Sequence, residues 1–444
     1  MFWPLAFSKE RQATWNIYAL SRISLKKSLK IKFRLEPSTG HIREHEIVTP
    51  SGRCLGRFSM DSEKMKSLKP IYLDYNATTP IDPQVLEAML PFLSEHFGNP
   101  SSSHLYGKAA KEAVNRAREQ TAKLIGSETT EILFTSGGTE GNNHAIIGTA
   151  LANIEKGRHI ITSEIEHPSV LEPLQYLQER FAFKITCLPV DEYGMVSPSD
   201  IEKAITQETV LITIMHANNE VGTIEPTEEI GKIAKEKNVA FHSDAAQSCG
   251  KIPVNVNKLN VDLLTIAGHK LYAPKGIGAL YIRNGTRLDK FMHGAGQEQG
   301  KRAGTENVPY IVGLGLACEI ASGNIHNFSQ TVKELRDRLH RNVLSGLGEE
   351  KVKLNGHPKK RLPNTLNISI KGLIGENLLA QMPEIAASTG SACHAGSTKP
   401  SAVLLAMGLP KEQALGALRL SLGRWSTQEE IDEASRLIVR KAQS

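Results

Sequence analysis

Lys270 lies in "DLLTIAGHKLYAPKGIGALYI", at the end of an apolar run and inside a glycine-flanked turn. Desolvation there disfavours the charged amine, and the lowered pKa makes a lysine a usable nucleophile toward an aldehyde. A side chain that snorkels to the surface is the alternative. A second apolar run, "VAFHSDAAQS", ends on Asp244, with Gln247 three residues on. A carboxylate at that point can pair with a ring nitrogen of a bound cofactor, or it can cap the helix that follows. "ILFTSGGTEGNN" offers Ser136, Gly137, Gly138 and Thr139 where a strand turns into a helix, a set of amide and hydroxyl donors suited to phosphate. It lacks the glycine spacings of dinucleotide and P-loop sites. His167 in "SEIEHPSV" and the pair Asn218–Asn219 in "IMHANNEVG" follow two further runs. A lone histidine is more often structural than catalytic. The joint occurrence adds weight, because all five clusters follow strands in one consistent order.

The elements that must carry these clusters are short apolar strands alternating with amphipathic helical stretches such as 107–125 and 226–237. That alternation predicts an α/β fold, a mostly parallel sheet covered by helices on both faces, with chemistry at the carboxyl ends of its strands. After about residue 320 a long helical stretch (328–346), "KLNG", "NTLNISI" and two more helical stretches read as a smaller α+β domain. The domains expected are a large one over 70–320, its opening residues packing on the small one, and a small one over 321–444. No internal repeat or low-complexity segment is present.

Residues 1–70 hold 14 Lys/Arg and 6 Asp/Glu, and the remainder holds 39 and 41. The overall charge of +6 therefore belongs to the leader, and a nucleic-acid-binding body has no support. The first 35 residues carry eight basic residues and one acid, which resembles a transit peptide. That predicts a mitochondrial or plastid location; if the segment is a dispensable extension ahead of Met60, a cytoplasmic one. Residues 1–69 are expected to be disordered. The five cysteines (54, 187, 249, 318 and 393) include no CxxC pair, so neither a disulfide framework nor a structural metal is expected. No apolar run of membrane-helix length is evident, and no membrane role is expected.

Cys393 remains unexplained by such readings, because "STGSACHAGSTKPS" (388–401) offers no core to bury it. With that loop included, the ordered set resembles the NifS/IscS-type cysteine desulfurases of the class V aminotransferase group. The resemblance runs from "IYLDYNATTP" (71–80) and "FGNPSSSHLYG" (97–107) through "HGAGQEQGKRAGTEN" (293–307) to "ALRLSLGRWSTQEEI" (417–431). It implies a fold type I enzyme dependent on pyridoxal 5′-phosphate, with a seven-stranded sheet. It further implies that Lys270 carries the cofactor as a Schiff base, that Asp244 pairs with its ring nitrogen and that Gln247 meets its ring hydroxyl. His167 stacks on the ring and assists proton transfer, while Gly138, Thr139 and His269 hold the phosphate. Thr305 reaches that phosphate from a second subunit of a homodimer. Asn219, Asn99 and Arg419 surround the substrate, Arg419 clamping its α-carboxylate. Cys393, on a segment that costs little to move, accepts sulfur from L-cysteine as a persulfide for an acceptor protein. Selenocysteine lyase, acting on L-selenocysteine, shares these features and is the alternative. One departure stands out, Ala267 where many relatives have serine. After "LIVRKAQS" the tail that docks iron–sulfur scaffolds in other members is not found, so the resemblance leaves the acceptor open.

Overall fold

The computed structural model describes residues 69–390 and 399–444, and the backbone of four strands between residues 14 and 59. Those strands, Thr14–Trp15, Lys30–Leu35, Ile42–Val48 and Cys54–Ser59, pair antiparallel in chain order. This differs from the disorder expected for the leader. Within "KIKFRL" the basic residues alternate with Ile31, Phe33 and Leu35, the period-two signal of a strand, which the basic composition hides. Residues 1–70 form one compact unit and residues 71–444 the other.

In the second unit seven strands form the central sheet: β1 (Ile132–Thr135), β2 (His159–Ser163), β3 (Lys184–Leu188), β4 (Thr209–Thr213), β5 (Ala240–Asp244), β6 (Leu263–Ala267) and β7 (Gly278–Ile282). Their order is β1-β7-β6-β5-β4-β2-β3. Only β7 runs antiparallel to its neighbours, so the other six deliver their carboxyl ends to one edge. The strands read as continuous apolar runs because both faces are covered. One face packs Ile161, Ile212, Phe241 and Ile266 against the helices, and the other packs Ile160, Leu211, Val170 and Leu174. The edge strand β3 is mostly exposed or half-buried, which is why its residues gave a weak signal.

Helix α1 (Pro83–Ser94) and α2 (Leu105–Ile125) precede the sheet, and α2 stops at Gly126 with φ 68°. Helix α3 (Gly138–Asn143) follows β1 and α4 (Pro168–Phe181) follows β2. The long α5 (Val308–Leu347) packs on α1, α2 and the C-terminal α6 (Gln428–Gln443). It begins twenty residues before the stretch read from sequence, because "VPYIVGLGLACEIA" is apolar on every face and shows no amphipathic period. By length and composition it is the one described helix able to cross a membrane. Here Ile311, Leu314 and Ala317 enter the core of the large sheet, while Val332, Leu339 and Val343 enter a second core. The 320/321 boundary therefore falls inside one continuous helix. The second core covers an antiparallel sheet of β8 (Val352–Asn355), β9 (Thr365–Ile370) and β10 (Ala417–Ser421), ordered as numbered. Leu73 belongs to this core, and Ile71–Tyr72 pairs with Ile385–Ala386.

Candidate functional site

Lys270 leaves the end of β6 and points its Nζ at two backbone carbonyls, Asn76 O at 2.6 Å and Ala77 O at 2.8 Å. Burial and, next, the charge of Arg419 pull its pKa down to about 8, with Asp244 and Asp74 opposing. Gln247 donates Nε2 to the same Asn76 carbonyl at 3.0 Å. Asp244, at the end of β5 and nearly buried, has Oδ1 on the Ala246 amide at 2.9 Å and Oδ2 on Asn142 Nδ2 at 2.7 Å. The same Asn142 amide donates to Ser169 Oγ at 2.8 Å, and Ser169 meets His167 Nδ1 at 2.8 Å. A chain of hydrogen bonds thus joins Asp244 on β5 to His167 at the mouth of β2.

His167 caps α4, its Nδ1 accepting the Ser169 amide at 3.1 Å with Pro168 at the first helical position. That bond assigns the ring hydrogen to Nε2. Burial, foremost, lowers its pKa, Asp244 opposing and Lys270 adding to the effect. Next to it Glu166 is fully buried, accepts Ser163 Oγ at 2.7 Å and the Met215 amide at 2.9 Å, and is pushed up to about 8 by burial. It is a protonated tie between β2 and β4 at neutral pH.

The turn after β1 places Gly137 at φ 151°, a conformation few L-residues adopt, and opens α3. The first-turn amides of Gly138 and Thr139 have no intrahelical partner. A Cβ on Gly138 would come within 3.2 Å of the Ala267 methyl, so the turn packs directly on that residue. Thr139 and His167 line a cavity of about 770 Å³ with Tyr176, Phe291 and His293. His269 meets Thr78 Oγ1 at 3.2 Å through Nδ1, and its carbonyl accepts the Thr79 amide at 2.9 Å. Burial, then Lys270, Lys275 and Lys251, lower it to about 4.

From the smaller domain, Arg419 on β10 pairs Nη2 with Asp74 Oδ1 at 2.8 Å and donates Nη1 to Asn219 O at 3.2 Å. Its Nε is buried without a partner among the described residues. Of the asparagine pair, Asn218 spends its side chain on the Glu220 and Val221 amides and on Ile165 O.

The structure therefore brings Lys270, Gln247 and Asn219 together around Asn76 and Arg419, and links Asp244 to His167. It does not bring Asn99 or Thr305 to them. Asn99 is exposed and turns its Oδ1 back on the Ser101 amide at 2.9 Å. Thr305 is exposed on a segment strapped to its own chain by Arg302–Glu140 at 2.8 Å and Arg118–Glu298 at 2.8 Å. Cys393 lies outside the described residues.

Asn76 was passed over in the sequence although it organises the site. Its Nδ2 donates to Thr365 Oγ1 and Asn219 O, and its Oδ1 accepts from Lys251 and Asn364. Asn142, Glu166 and Lys251 were missed as well. Lys251 follows Gln247 by four residues, a spacing that places two side chains on one helical face and could have flagged it.

Six parallel strands that end along one edge, five of them followed by polar clusters and one of these holding a lysine of depressed pKa, define a fold type I pyridoxal-phosphate enzyme. The model described as aminotransferase class-V matches residues 71–434, and the chain belongs to that family. It is 51% identical over 372 residues to the cysteine desulfurase IscS of Methanosarcina thermophila, covering 83% of this chain and 91% of that protein. It is 53% identical over 369 residues to the cysteine desulfurase IscS of Clostridium botulinum, covering 82% and 92%. Among solved structures, a NifS-like protein superposes with a TM-score of 0.78 at 39% identity, over 84% of this chain and 98% of that one. SspA in complex with cysteine does so with a TM-score of 0.71 at 39% identity, over 80% and 99%.

Proposed function

We infer that this chain is a pyridoxal 5′-phosphate-dependent cysteine desulfurase that converts L-cysteine to L-alanine. The observation that carries the reading is Lys270, a partly desolvated amine held at a strand end by Asn76 O and Ala77 O beside Gln247, in a chain 51% identical over 372 residues and 53% identical over 369 residues to proteins of that name. The donor set fits the cofactor. Lys270 supplies the amine for its aldehyde, Asp244 the carboxylate for its ring nitrogen and Gln247 an N–H for its ring hydroxyl. The amides of Gly138 and Thr139, with His269, supply donors for its phosphate. Bound there, the cofactor supplies the electron sink for loss of the substrate's α-proton.

The chain's own residues supply the rest. Lys270, titrating near 8, holds or releases a proton at physiological pH, as a general base must. His167 carries its ring hydrogen on Nε2, the ring anchored through Nδ1 by the bonds to Ser169. Arg419 offers its buried Nε, without a partner among the described residues, to a substrate carboxylate, with Asp74 accepting from its Nη2. Asn219 lends its backbone carbonyl to Arg419 Nη1 and Asn76 Nδ2. Cys393 takes the sulfur: the Cβ–S bond of cysteine breaks, an S–S bond forms, and the thiol hydrogen completes alanine. The cysteine complex of SspA supports L-cysteine as substrate. Thr305, exposed on its strap, serves the phosphate of a second subunit in a homodimer.

The test measures alanine from L-cysteine and L-selenocysteine side by side, in wild type and Cys393→Ser. Alanine from cysteine, lost in Cys393→Ser while the visible cofactor band persists, supports the reading. Turnover of selenocysteine alone would replace it with the lyase, and unchanged turnover in Cys393→Ser would remove the persulfide step.

A further inference from the structure

Lys251 is buried, and among the described residues its ammonium meets no carboxylate. It donates to Gln247 Oε1 at 2.7 Å and to Asn76 Oδ1 at 3.2 Å. The charged groups bearing on it, Lys270 and Arg419, share its sign, and burial pushes its pKa well below that of a free lysine. Lys270 in turn faces Arg419, Asp244 and Asp74, with His269 alongside. A buried cation without a counter-charge is costly, so its place here calls for a reason.

The reason lies in the amide it holds. An ammonium has donors only, so a glutamine beside it must present Oε1 and turn Nε2 away. Gln247 does this, and one Nε2 hydrogen goes to Asn76 O. That carbonyl also accepts from Lys270 Nζ, so the amide nitrogen and the lysine nitrogen lie within about 6 Å of each other. The pyridoxal ring carries its hydroxyl on the carbon next to the one bonded to the lysine-linked carbon. The second Nε2 hydrogen of Gln247 would then be free to donate to that oxygen.

We propose that Lys251 is a positioning residue: it fixes the Gln247 amide with its NH2 end toward the cofactor's ring oxygen, and so sets the protonation balance of the cofactor–Lys270 linkage. The inference rests on the reading of Lys270 and Gln247 as cofactor ligands. Without Lys251 the amide is free to turn its oxygen toward the ring oxygen, and the donor becomes a repulsion.

The holoenzyme's visible absorption, titrated with pH, tests this in wild type, Lys251→Met, Lys251→Gln, Gln247→Ala and the Gln247→Ala/Lys251→Met double variant. Loss of a nearby positive charge and of a donor to the ring oxygen both favour the protonated linkage. Lys251→Met therefore raises the midpoint by about one pH unit and loosens cofactor retention on dialysis about tenfold. Lys251→Gln keeps a donor for Gln247 Oε1, recovers retention and still raises the midpoint. In the Gln247→Ala background the methionine adds less than half of its shift. If Lys251→Met does not fold by circular dichroism, Lys251→Gln carries the spectral test. A folded variant with wild-type midpoint and retention overturns the proposal, as does a full shift in the Gln247→Ala background. Failure of both single variants to fold assigns Lys251 to the core and also overturns it. A wild-type protein with no visible band after loading defeats the anchoring role of Lys270 instead.

Discussion

Asn142 gives the sharpest test of how the site holds its carboxylate. Its Nδ2 divides between Asp244 Oδ2 at 2.7 Å and Ser169 Oγ at 2.8 Å, both buried. Asn142→Ala deletes one bond to a charged acceptor, typically about 1.5–3 kcal/mol, and one neutral bond of about 1 kcal/mol. The expected loss of stability is about 2–4 kcal/mol, read as a lowered urea midpoint at unchanged m-value. Asn142→Asp keeps the shape and turns the donor into an acceptor facing Asp244. Two carboxylate charges about 4 Å apart repel by about 4 kcal/mol at an effective dielectric of about 20, so the aspartate variant is worse than the alanine at pH 8. Its apparent pKa rises to relieve the repulsion, and the order narrows as the pH falls toward 5. Urea unfolding of both variants at pH 8 and pH 5, with dialysis to follow cofactor loss, is the assay. An Asn142→Asp protein as stable as Asn142→Ala at pH 8, or an order independent of pH, refutes the assignment of this bond as a support of the Asp244 side chain.

Glu166, raised to about 8 by burial, keeps its proton in the native state while the unfolded chain releases it near 4.5. Its contribution is fully present below that lower pH and is lost as pH rises toward 8. Glu166→Gln flattens the fall in stability between pH 5 and 8, measured by urea unfolding; an unchanged slope counts against a protonated Glu166. Arg419→Lys replaces a planar fork by a point charge that cannot hold Asp74 and Asn219 O while presenting Nε. It lowers kcat/KM for cysteine about 10- to 100-fold, chiefly through KM, and a purely kcat effect argues against a carboxylate clamp.

Much of the sheet was legible because its strands are buried on both faces and read as unbroken apolar runs ending in polar clusters. Lys270, Asp244 and Gln247 were visible for the same reason, since polar residues directly after such runs stand at the edge where ligands bind. The strand Lys184–Leu188 was not, because an edge position leaves its side chains half in water. Asn76 was invisible for a different reason. Its partners Ser421, Thr365 and Lys251 are 345, 289 and 175 residues away, and no local pattern encodes such contacts. Asn142 hid within a motif read for its glycines and threonine. The N-terminal reach of α5 was missed because a helix buried on every side carries no amphipathic signal.

The buried charges of the site point the same way as its donors. Lys251, Lys270 and Arg419 face one another with Asp74 and Asp244 between them, while Glu166 keeps its proton and His269, lowered to about 4, is neutral at physiological pH. Lys251 meets no carboxylate among the described residues, and like-signed groups this close cost free energy until an anion enters. A phosphorylated pyridoxal and the carboxylate of an amino acid bring that missing charge. Ala267 lies against the turn at Gly138 and offers no hydroxyl there. The fold thus spends stability to hold like-signed groups close together where the reactants arrive, and ligand binding returns it.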